Sequence, residues 1–562
     1  MEVRVDVHAS SPPVIVLSVN DVELLSLHRT AAGTQLASDF ADALNAALRQ
    51  GDNRAAFTVQ QDELVVKLPG GARLAVELRL LAEPSGNREE IATELDSRWR
   101  QAMNARQLRV EPSSVAVPVG ESRATRLIDA GTGSIRVMNP FPALVDVSLG
   151  DGCLKVAGIQ EGKGHLWLRM GEQAVRIPFT VLRLAAYLPD RLTLQLSGSG
   201  YEPSEIERLS RVQLMALSSV APEASLAMNL RLGGGSPNEE MALDVSATAP
   251  ARIKVTKHIP VEILGTGFPP PEPESVLFSN EPEQITEPGR LFCATLMGQD
   301  RVRLVYHHQN RSGQPLRLRV QLRDLSDAGQ RVFFRGGASG PALSTITVGF
   351  ASVRSYLAQL ASGQGCVLAL GRSARASLWE GELANLDSAS GNLDLAVLTE
   401  GPVAVLIDAL PSRGGLPSPP PVAALPEEPQ RYSPAAITRR FSYDLDGHWL
   451  FIRLGRGEMR RMDSGIPLMG DYGLLAEFEV DLMNAQPRSR TVEFAFDATG
   501  GEARGVFIID GSRVETPSVH PGAPRFLTRF TVQPYETRRV HILTMPLNGS
   551  HYPASLVFSC LD

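Results

Sequence analysis

A segment that occurs twice in the C-terminal half constrains this 562-residue chain more than any other feature. Residues 301–322 read RVRLVYHHQNRSGQPLRLRVQL, and residues 475–496 read LAEFEVDLMNAQPRSRTVEFAF. Each is an alternating apolar and polar run, a turn led by Asn310 or Asn484 with Pro315 or Pro487 close by, and a second alternating run. Period-two alternation sends one set of side chains to a buried face and the other to water. Each copy is therefore expected to form an antiparallel hairpin within a β-sandwich. Such a shape is a scaffold and carries no chemistry of its own.

The length corresponds to roughly four or five domains of ~100 to 200 residues each. Residues 1–106 read as a small α+β domain. Residues 14–27 give two strands joined at Asn20-Asp21, a favoured tight-turn pair. Residues 34–48 place Leu36, Phe40, Ala43, Leu44, Ala47 and Leu48 at helical spacing before Gly51. Strands are expected at 56–67 and 72–81, divided by Pro69-Gly70-Gly71. A second helix over 87–104 aligns Ile91, Leu95, Trp99 and Met103 on one stripe, with Trp99 a core anchor. Residues 186–268 hold further alternating runs separated by turn clusters such as Gly233–Pro237, the pattern of a sandwich or sheet domain. The Gly- and Pro-rich stretch 265–274 marks a boundary. The first repeat copy then occupies 275–410, with a short helix near 349–360. A Pro-rich linker covers 411–430, because Pro supplies no ladder donor. The second copy covers 431–562. Residues 530–543 form a strand, turn and strand that close it, matched in the first copy by residues 368–378.

Residues 110–122, 136–147, 155–168 and 175–181 carry a strand ending in Val119-Gly120-Glu121, an Asn139-Pro140 turn, and a Gly-rich approach to Leu166. Over about 108–183 this resembles the bacterial immunoglobulin-like domains of surface and pilus-associated proteins, and implies an immunoglobulin-like sandwich at 108–185. Ser279-Asn-Glu-Pro-Glu283, Tyr306-His-His-Gln-Asn310 and Met545-Pro-Leu-Asn-Gly-Ser550 together resemble a group of uncharacterised bacterial envelope β-sandwich proteins over about 275–562. That resemblance implies architecture and location only. The fold expected is mainly β: tandem immunoglobulin-like β-sandwiches with a small N-terminal α+β domain.

The 55 basic and 62 acidic residues are evenly spread, which argues against a nucleic-acid partner, for which basic residues would cluster. Cys153, Cys293, Cys366 and Cys560 never approach CxxC spacing, so they read as small buried thiols, with a Cys293–Cys366 disulfide the one pairing inside a single expected domain. No apolar run is long enough for a membrane span. The opening Met1-Glu-Val-Arg-Val-Asp lacks a secretion signal, so the chain either stays in the cytoplasm or has lost a leader.

The candidate chemistry is sparse. His307 and His308 are neighbours on a strand and should point to opposite faces, which prevents them from sharing a metal. Asp444, Asp446 and His448 suit a cation or an ordinary exposed turn. Glu477, Glu479 and Asp481 alternate along one strand, as on a solvated face. Tyr443, Trp449, Phe451 and Tyr472 form either a platform for a sugar ring or part of the second core. Tyr443 and Trp449 are the candidate glycan contacts. There is no nucleophile elbow, zincin motif or phosphate-binding glycine loop, so no catalytic residue, metal or cofactor is assigned. The expectation is a non-enzymatic, modular cell-envelope or secreted protein, structural or adhesive, whose sandwiches act as spacers and bind a protein or surface glycan or self-associate. A carbohydrate-binding or glycosidase accessory chain, and a pilus or surface-layer subunit, are the alternatives.

Overall fold

The computed structural model describes residues 3–8, 14–19, 22–28, 30–49, 56–60, 63–67, 73–77, 93–100, 109–128, 134–170, 173–231, 241–326, 328–371, 375–412, 430–445 and 448–561. The turns expected at Asn20-Asp21, Gly51, Pro69–Gly71 and Gly233–Pro237 lie outside them, as do Asp446 and most of the Pro-rich linker. The chain divides into two compact units, Met1–Arg183 and Leu184–Asp562.

The first unit opens with strands β1 (Val3–His8), β2 (Val14–Val19) and β3 (Val22–His28), helix α1 (Ala31–Arg49), strands β4 (Ala56–Gln60), β5 (Glu63–Lys67) and β6 (Arg73–Glu77), and helix α2 (93–100). The strands form two antiparallel three-stranded meanders. Trp99 is buried, as a core anchor should be. Next come β7 (Arg109–Glu111), β8 (Val115–Pro118), β9 (Ser122–Ile128), β10 (Ile135–Met138), β11 (Val145–Gly150), β12 (Cys153–Gly158), β13 (Gly162–Met170) and β14 (Gln173–Leu182). They make two four-stranded sheets, β10-β13-β14-β8 and β11-β12-β9-β7. Val117, Leu154, Val156, Leu166, Leu168 and Val181 fill the space between them. The Asn139 turn works as its residues require: Nδ2 donates to the Val145 carbonyl at 2.8 Å and Oδ1 accepts from the Phe141 amide at 2.9 Å.

The second unit begins with β15 (Ala186–Tyr187), β16 (Leu192–Ser197), helix α3 (Pro203–Leu217), β17 (Ser219–Val220), β18 (Ser225–Arg231), β19 (Ala242–Thr248) and β20 (Val255–Gly265). The first repeat copy holds β21 (Ser275–Ser279), β22 (Gln284–Ile285), β23 (Gly289–Leu296), β24 (Arg301–Asn310), β25 (Leu316–Asp324), β26 (Gln330–Ala342), helix α4 (Thr345–Ala361), β27 (Gly365–Leu370), β28 (Arg375–Leu383), β29 (Ser388–Val397) and β30 (Val403–Pro411). The second holds β31 (Arg431–Ser433), β32 (Ala436–Asp444), β33 (Leu450–Leu454), β34 (Arg460–Arg461), β35 (Leu475–Met483), β36 (Arg490–Ala498), β37 (Val506–Ile509), β38 (Ser512–Glu515), β39 (Arg525–Val532), β40 (Thr537–Thr544) and β41 (Ala554–Cys560).

The two copies share one topology. In the first, β21-β24-β29-β26 is one layer and β23-β30-β25-β28 the other; in the second, the layers are β32-β35-β40-β37 and β33-β41-β36-β39. β21 runs parallel to β24 as β32 does to β35, and every other pair in these layers is antiparallel. Even an irregularity recurs. The register slips between Val320 and Gln321 against β28, and between Phe494 and Ala495 against β39. The protein is mainly β, built of immunoglobulin-like sandwiches.

The duplicated segment, however, is not a hairpin. β24 and β25 lie in different layers, and so do β35 and β36. Alternation fixes which face of a strand is buried but not which neighbour it pairs with, so the same pattern suits a corner that carries the chain between sheets. The asparagine holds that corner. Asn310 Nδ2 donates to the carbonyls of Gln314 (2.8 Å), Leu383 (2.9 Å) and Ala384 (3.2 Å), while Oδ1 accepts from the Ser312 amide (3.0 Å). Asn484 repeats this on Arg488 (2.8 Å), Val532 (3.2 Å), Gln533 (2.9 Å) and the Gln486 amide (3.0 Å). The shared slip aligns Trp379 with Thr528, so the closing strands β39 and β40 correspond to β28 and β29, of which residues 368–378 include only the start of β28.

An insertion distinguishes the first copy. Between β26 and β28 it adds α4 and β27; β27 pairs with β16, and the sheet extends to twelve strands in the order β18-β19-β20-β16-β27-β26-β29-β24-β21-β31-β34, with β22 beside β24. Strands from 192–265 thus continue the sheet of residues 275–411. Helix α3, unexpected from the sequence, covers this extension. Pro203 sits in its first turn, Leu209, Val212 and Ala216 face inward at i, i+3, i+7, and the Gln213 amide bonds both N–H and C=O of Ala369 on β27. None of the four cysteines is in a disulfide. Cys293 lies with Leu406 on the outer face of its sheet and Cys366 in the inner core, so the Cys293–Cys366 bridge does not form. Among the described residues no helix is long and apolar enough to cross a membrane.

Candidate functional site

β24 sends its residues alternately to two environments. Tyr306 joins the sandwich core, and His308 lies on the same side, its Nδ1 2.9 Å from the Pro282 carbonyl and Nε2 3.1 Å from Ser279 Oγ. Ser279 and Pro282 belong to one of the envelope-type motifs and His308 to another, so the two motifs meet here. His307 points the other way, is 2% exposed, and neither ring nitrogen has a hydrogen-bond partner among the described residues. Burial holds both imidazoles down at about 4, with His308 adding to the effect on His307. The two rings do not converge on one point. Among the described residues no group of three His, Cys, Asp or Glu is placed to hold a metal.

On the side of His307 the sheet is buried and polar. Arg303 is fully buried; its Nε donates to Asp394 Oδ1 at 2.8 Å and its Nη2 to the Tyr356 hydroxyl at 2.6 Å. Arg335 Nη2 and the Tyr356 hydroxyl reach Asp394 Oδ2 at 2.6 and 2.9 Å. Arg303 Nη1 donates to the carbonyls of Gly473 (2.7 Å) and Ala435 (3.0 Å), both in the second copy. Asn548, from the third envelope-type motif, donates to Ser390 Oγ at 3.2 Å. Phe350, Val353, Tyr356 and Leu357 of α4 pack with Val506, Met545 and Leu547. These contacts lock the two sandwiches together.

The carboxylates of β35 share one outward side, as alternation requires. Asp481 is gripped by Arg440 at 2.7 Å and Arg539 at 2.8 Å, and Glu479 lies 4.0 Å from both Arg539 and His541. Asp444 and His448 are exposed. Of the aromatic candidates, Tyr443 is a core residue at 4% exposure, its hydroxyl donating to the His448 carbonyl and accepting from the Cys560 amide at 3.1 Å. Tyr472 stacks on Phe278, and its hydroxyl donates to the Ser550 carbonyl at 3.0 Å. Trp449 is different: it is 63% exposed, with its ring 5.7 Å from that of Phe451, itself 49% exposed.

Phe451 starts a row that crosses the whole outer face of the sheet. The pairings Phe451–Val557, Val557–Ala495 and Ala495–Phe526 run in register over β33, β41, β36 and β39. Phe526 is 47% exposed, and the Arg529 guanidinium lies 5.2 Å from its ring centre. Adjacent strands lie about 4.8 Å apart, so the row spans about 14 Å, aromatic at both ends with a low floor between. Arg453, Ser555 and Asp497 line one flank, and Ser559, Glu493 and Arg529 the other, Arg529 Nη2 being 3.1 Å from Glu493. The flanks thus carry two positive and two negative charges. Sequence reading missed Phe526 because the slip beside Ala495 reverses the side its alternation would give; only the same slip in the first copy could have revealed it.

No family model matches the chain, and neither does any curated protein. Solved structures similar to parts of it include domains 4 and 5 of the S-layer protein SbsC, at 20% identity over 21% of this chain and 64% of that one, with a TM-score of 0.12. DIP-gamma IG1+IG2 aligns at 10% identity over 27% of this chain and 93% of the other, TM-score 0.12. Human mucin-like protocadherin EC1-2 aligns at 10% identity over 29% and 100%, TM-score 0.12. Scores this low carry no argument about role, so function is argued from this chain's own residues.

Proposed function

We propose that the chain is a non-enzymatic scaffold of the cell envelope or extracellular space, whose sandwiches space and orient a glycan-binding face on the last of them. The aromatic row on the second copy carries this reading. Its positions in the first copy hold Cys293, Leu406, Gln321 and Ser377, so the topology is built without aromatic residues there. Exposed rings that the fold does not require are left to meet a ligand. A flat apolar strip stacks on sugar rings, its polar flanks match hydroxyl groups, and the balanced charge favours a neutral polysaccharide over a polyanion. The rigid seam through Arg303 suits a spacer, since it fixes the direction in which this face points.

The test is retention of the full chain on neutral polysaccharides by affinity electrophoresis, compared with Trp449→Ala, Phe451→Ala and Phe526→Ala. Retention should fall in each variant while circular dichroism stays unchanged. No retention on any glycan, or retention unaltered in the triple variant, would overturn the proposal. A second reading, self-association in a surface array, draws on the outermost strand β34, beside which Met462, Ile466 and Met469 are 61%, 57% and 62% exposed. A sedimentation profile that is strictly monomeric at high concentration would exclude it.

A further inference from the structure

The outer sheet face of the first sandwich, which corresponds strand for strand to the aromatic face of the second, is built of arginines. Along β23-β30-β25-β28 its outward positions form rows in register: Arg290–Asp408–Arg319–Glu380, then Cys293–Leu406–Gln321–Ser377, then Thr295–Ala404–Arg323–Arg375. In the first row the charges are matched. Arg290 holds both oxygens of Asp408 at 2.7 and 3.2 Å, and Arg319 holds both of Glu380 at 2.8 and 3.2 Å. The third row contains no carboxylate. Arg323 and Arg375 stand directly opposite on paired strands, where like charges repel.

Several observations say that this pair awaits an anion. Neither arginine is ion-paired among the described residues, although arginines all around them are. Among the described residues Arg323 Nε is buried with no hydrogen-bond partner, and so is Nη1 of Arg290, whose side chain is 5% exposed. A buried N–H without an acceptor is costly, and native structures rarely leave one so. Burial, and then the adjoining charge of Arg323, push the Arg375 guanidinium down; Arg290 and Arg319 act in the same direction and Asp408 opposes them. The rest of the row is small and uncharged, a buried Ala404 and then an exposed Thr295, so neither residue supplies a counter-charge. The fold does not demand these residues. Counted from the shared slip, the second sandwich has Asp497 in place of Arg323 and Pro524 in place of Arg375.

We propose that Arg323 and Arg375 form an oxyanion site that clamps a phosphate-type group between two guanidinium forks. Planar forks bind the oxygens of phosphate in bidentate fashion, and an anion between them turns the like-charge repulsion into attraction. The group could be displayed on a lipid headgroup or on a soluble phosphate polymer, since both present the same oxygens.

The full chain is titrated with inorganic phosphate at constant ionic strength, with chloride as control, and followed by calorimetry and thermal unfolding. Phosphate should bind saturably and raise the unfolding temperature, whereas chloride should not. Arg323→Gln and Arg375→Gln should each weaken binding about tenfold or more, as the loss of a charge-assisted pair requires. Arg319→Gln, whose partner is Glu380, should leave binding unchanged. In phosphate-free buffer Arg323→Gln should raise the unfolding temperature, because it relieves the facing charges; a purely structural arginine would give the opposite sign. Polyphosphate and vesicles of phosphatidylglycerol with phosphatidylcholine separate the two sources: the one whose binding is lost on Arg323→Gln is the ligand. Absence of saturable phosphate binding, an equal response to chloride, or unchanged binding in both glutamine variants would overturn the site.

Discussion

Replacing Asp394 by Asn tests whether the seam between the two sandwiches is held by charge. Arg303, Arg335 and Asp394 have side chains 0%, 4% and 2% exposed, and the three formal charges sum to +1. Asp394→Asn leaves two guanidinium groups without an anion where water does not reach. Removing one partner of a buried pair costs about 3–5 kcal/mol. Arg303→Met has a different consequence: Arg335, Asp394 and Tyr356 remain as a charge-matched set, and the bonds lost to Asp394 Oδ1, the Tyr356 hydroxyl and the Ala435 and Gly473 carbonyls are partly offset because a buried cation no longer has to be desolvated, which leaves about 2 kcal/mol. The conservative carboxamide should therefore be worse than the loss of a whole arginine. Adding Arg303→Met to Asp394→Asn should then recover part of the stability, because it removes one of the two stranded cations. Urea unfolding of the full chain, followed by circular dichroism and tryptophan fluorescence, gives the three differences. If Arg303→Met proves as damaging as Asp394→Asn, or if the double variant shows simple additivity, the electrostatic account of the seam is wrong.

The corner asparagines should behave as equivalents: Asn310→Ala and Asn484→Ala each strip the corner of three donated bonds and the accepted turn amide, Asn310→Ala losing the Ser312 hydroxyl as well, at about 2–4 kcal/mol by urea unfolding, and one costly and one neutral variant would deny the equivalence. Acid should loosen the first sandwich. His307 and His308 have folded values held at about 4 against an ordinary 6.5, so below 6.5 the unfolded chain takes up protons that the folded chain refuses, and stability falls as pH drops toward 4. His307→Leu, which removes an imidazole with no hydrogen-bond partner among the described residues, should flatten that decline in a series of unfolding temperatures; an unchanged pH profile would rule His307 out as its source. Trp449→Ala should shift stability by less than about 0.5 kcal/mol, as expected of an exposed side chain away from the core, so any loss of glycan retention belongs to the surface.

Much of the architecture was legible because period-two alternation and turn residues are local. The duplicated strands, the Asn139 turn, the opposed histidines and the one-sided Glu477, Glu479 and Asp481 all follow from residue spacing. Pairing partners were not legible. Nothing in 301–322 distinguishes a hairpin from a corner, since both bury the same side chains and the deciding bonds run from Asn310 to carbonyls more than seventy residues away. Helix α3 was obscured by its short, broken apolar stripe among strand-like neighbours. For the candidate site, Trp449 was readable as an aromatic residue beside a turn, whereas Tyr443 looked equivalent and proved to be core. The facing of Arg323 and Arg375 depends on a register set across β25 and β28, which no local pattern reports.

The pairing of β31 with β21 has a practical corollary for the Pro-rich stretch. Because the chain emerging from that stretch pairs at once with the opposite sheet of the sandwich whose last strand, β30, it has just left, severing the backbone anywhere within 413–429 would not free the two halves. Ladder bonds at Leu277 and Val276 and the buried guanidinium of Arg303 would still hold them. Two separately expressed fragments divided at that point should therefore find each other and reconstitute.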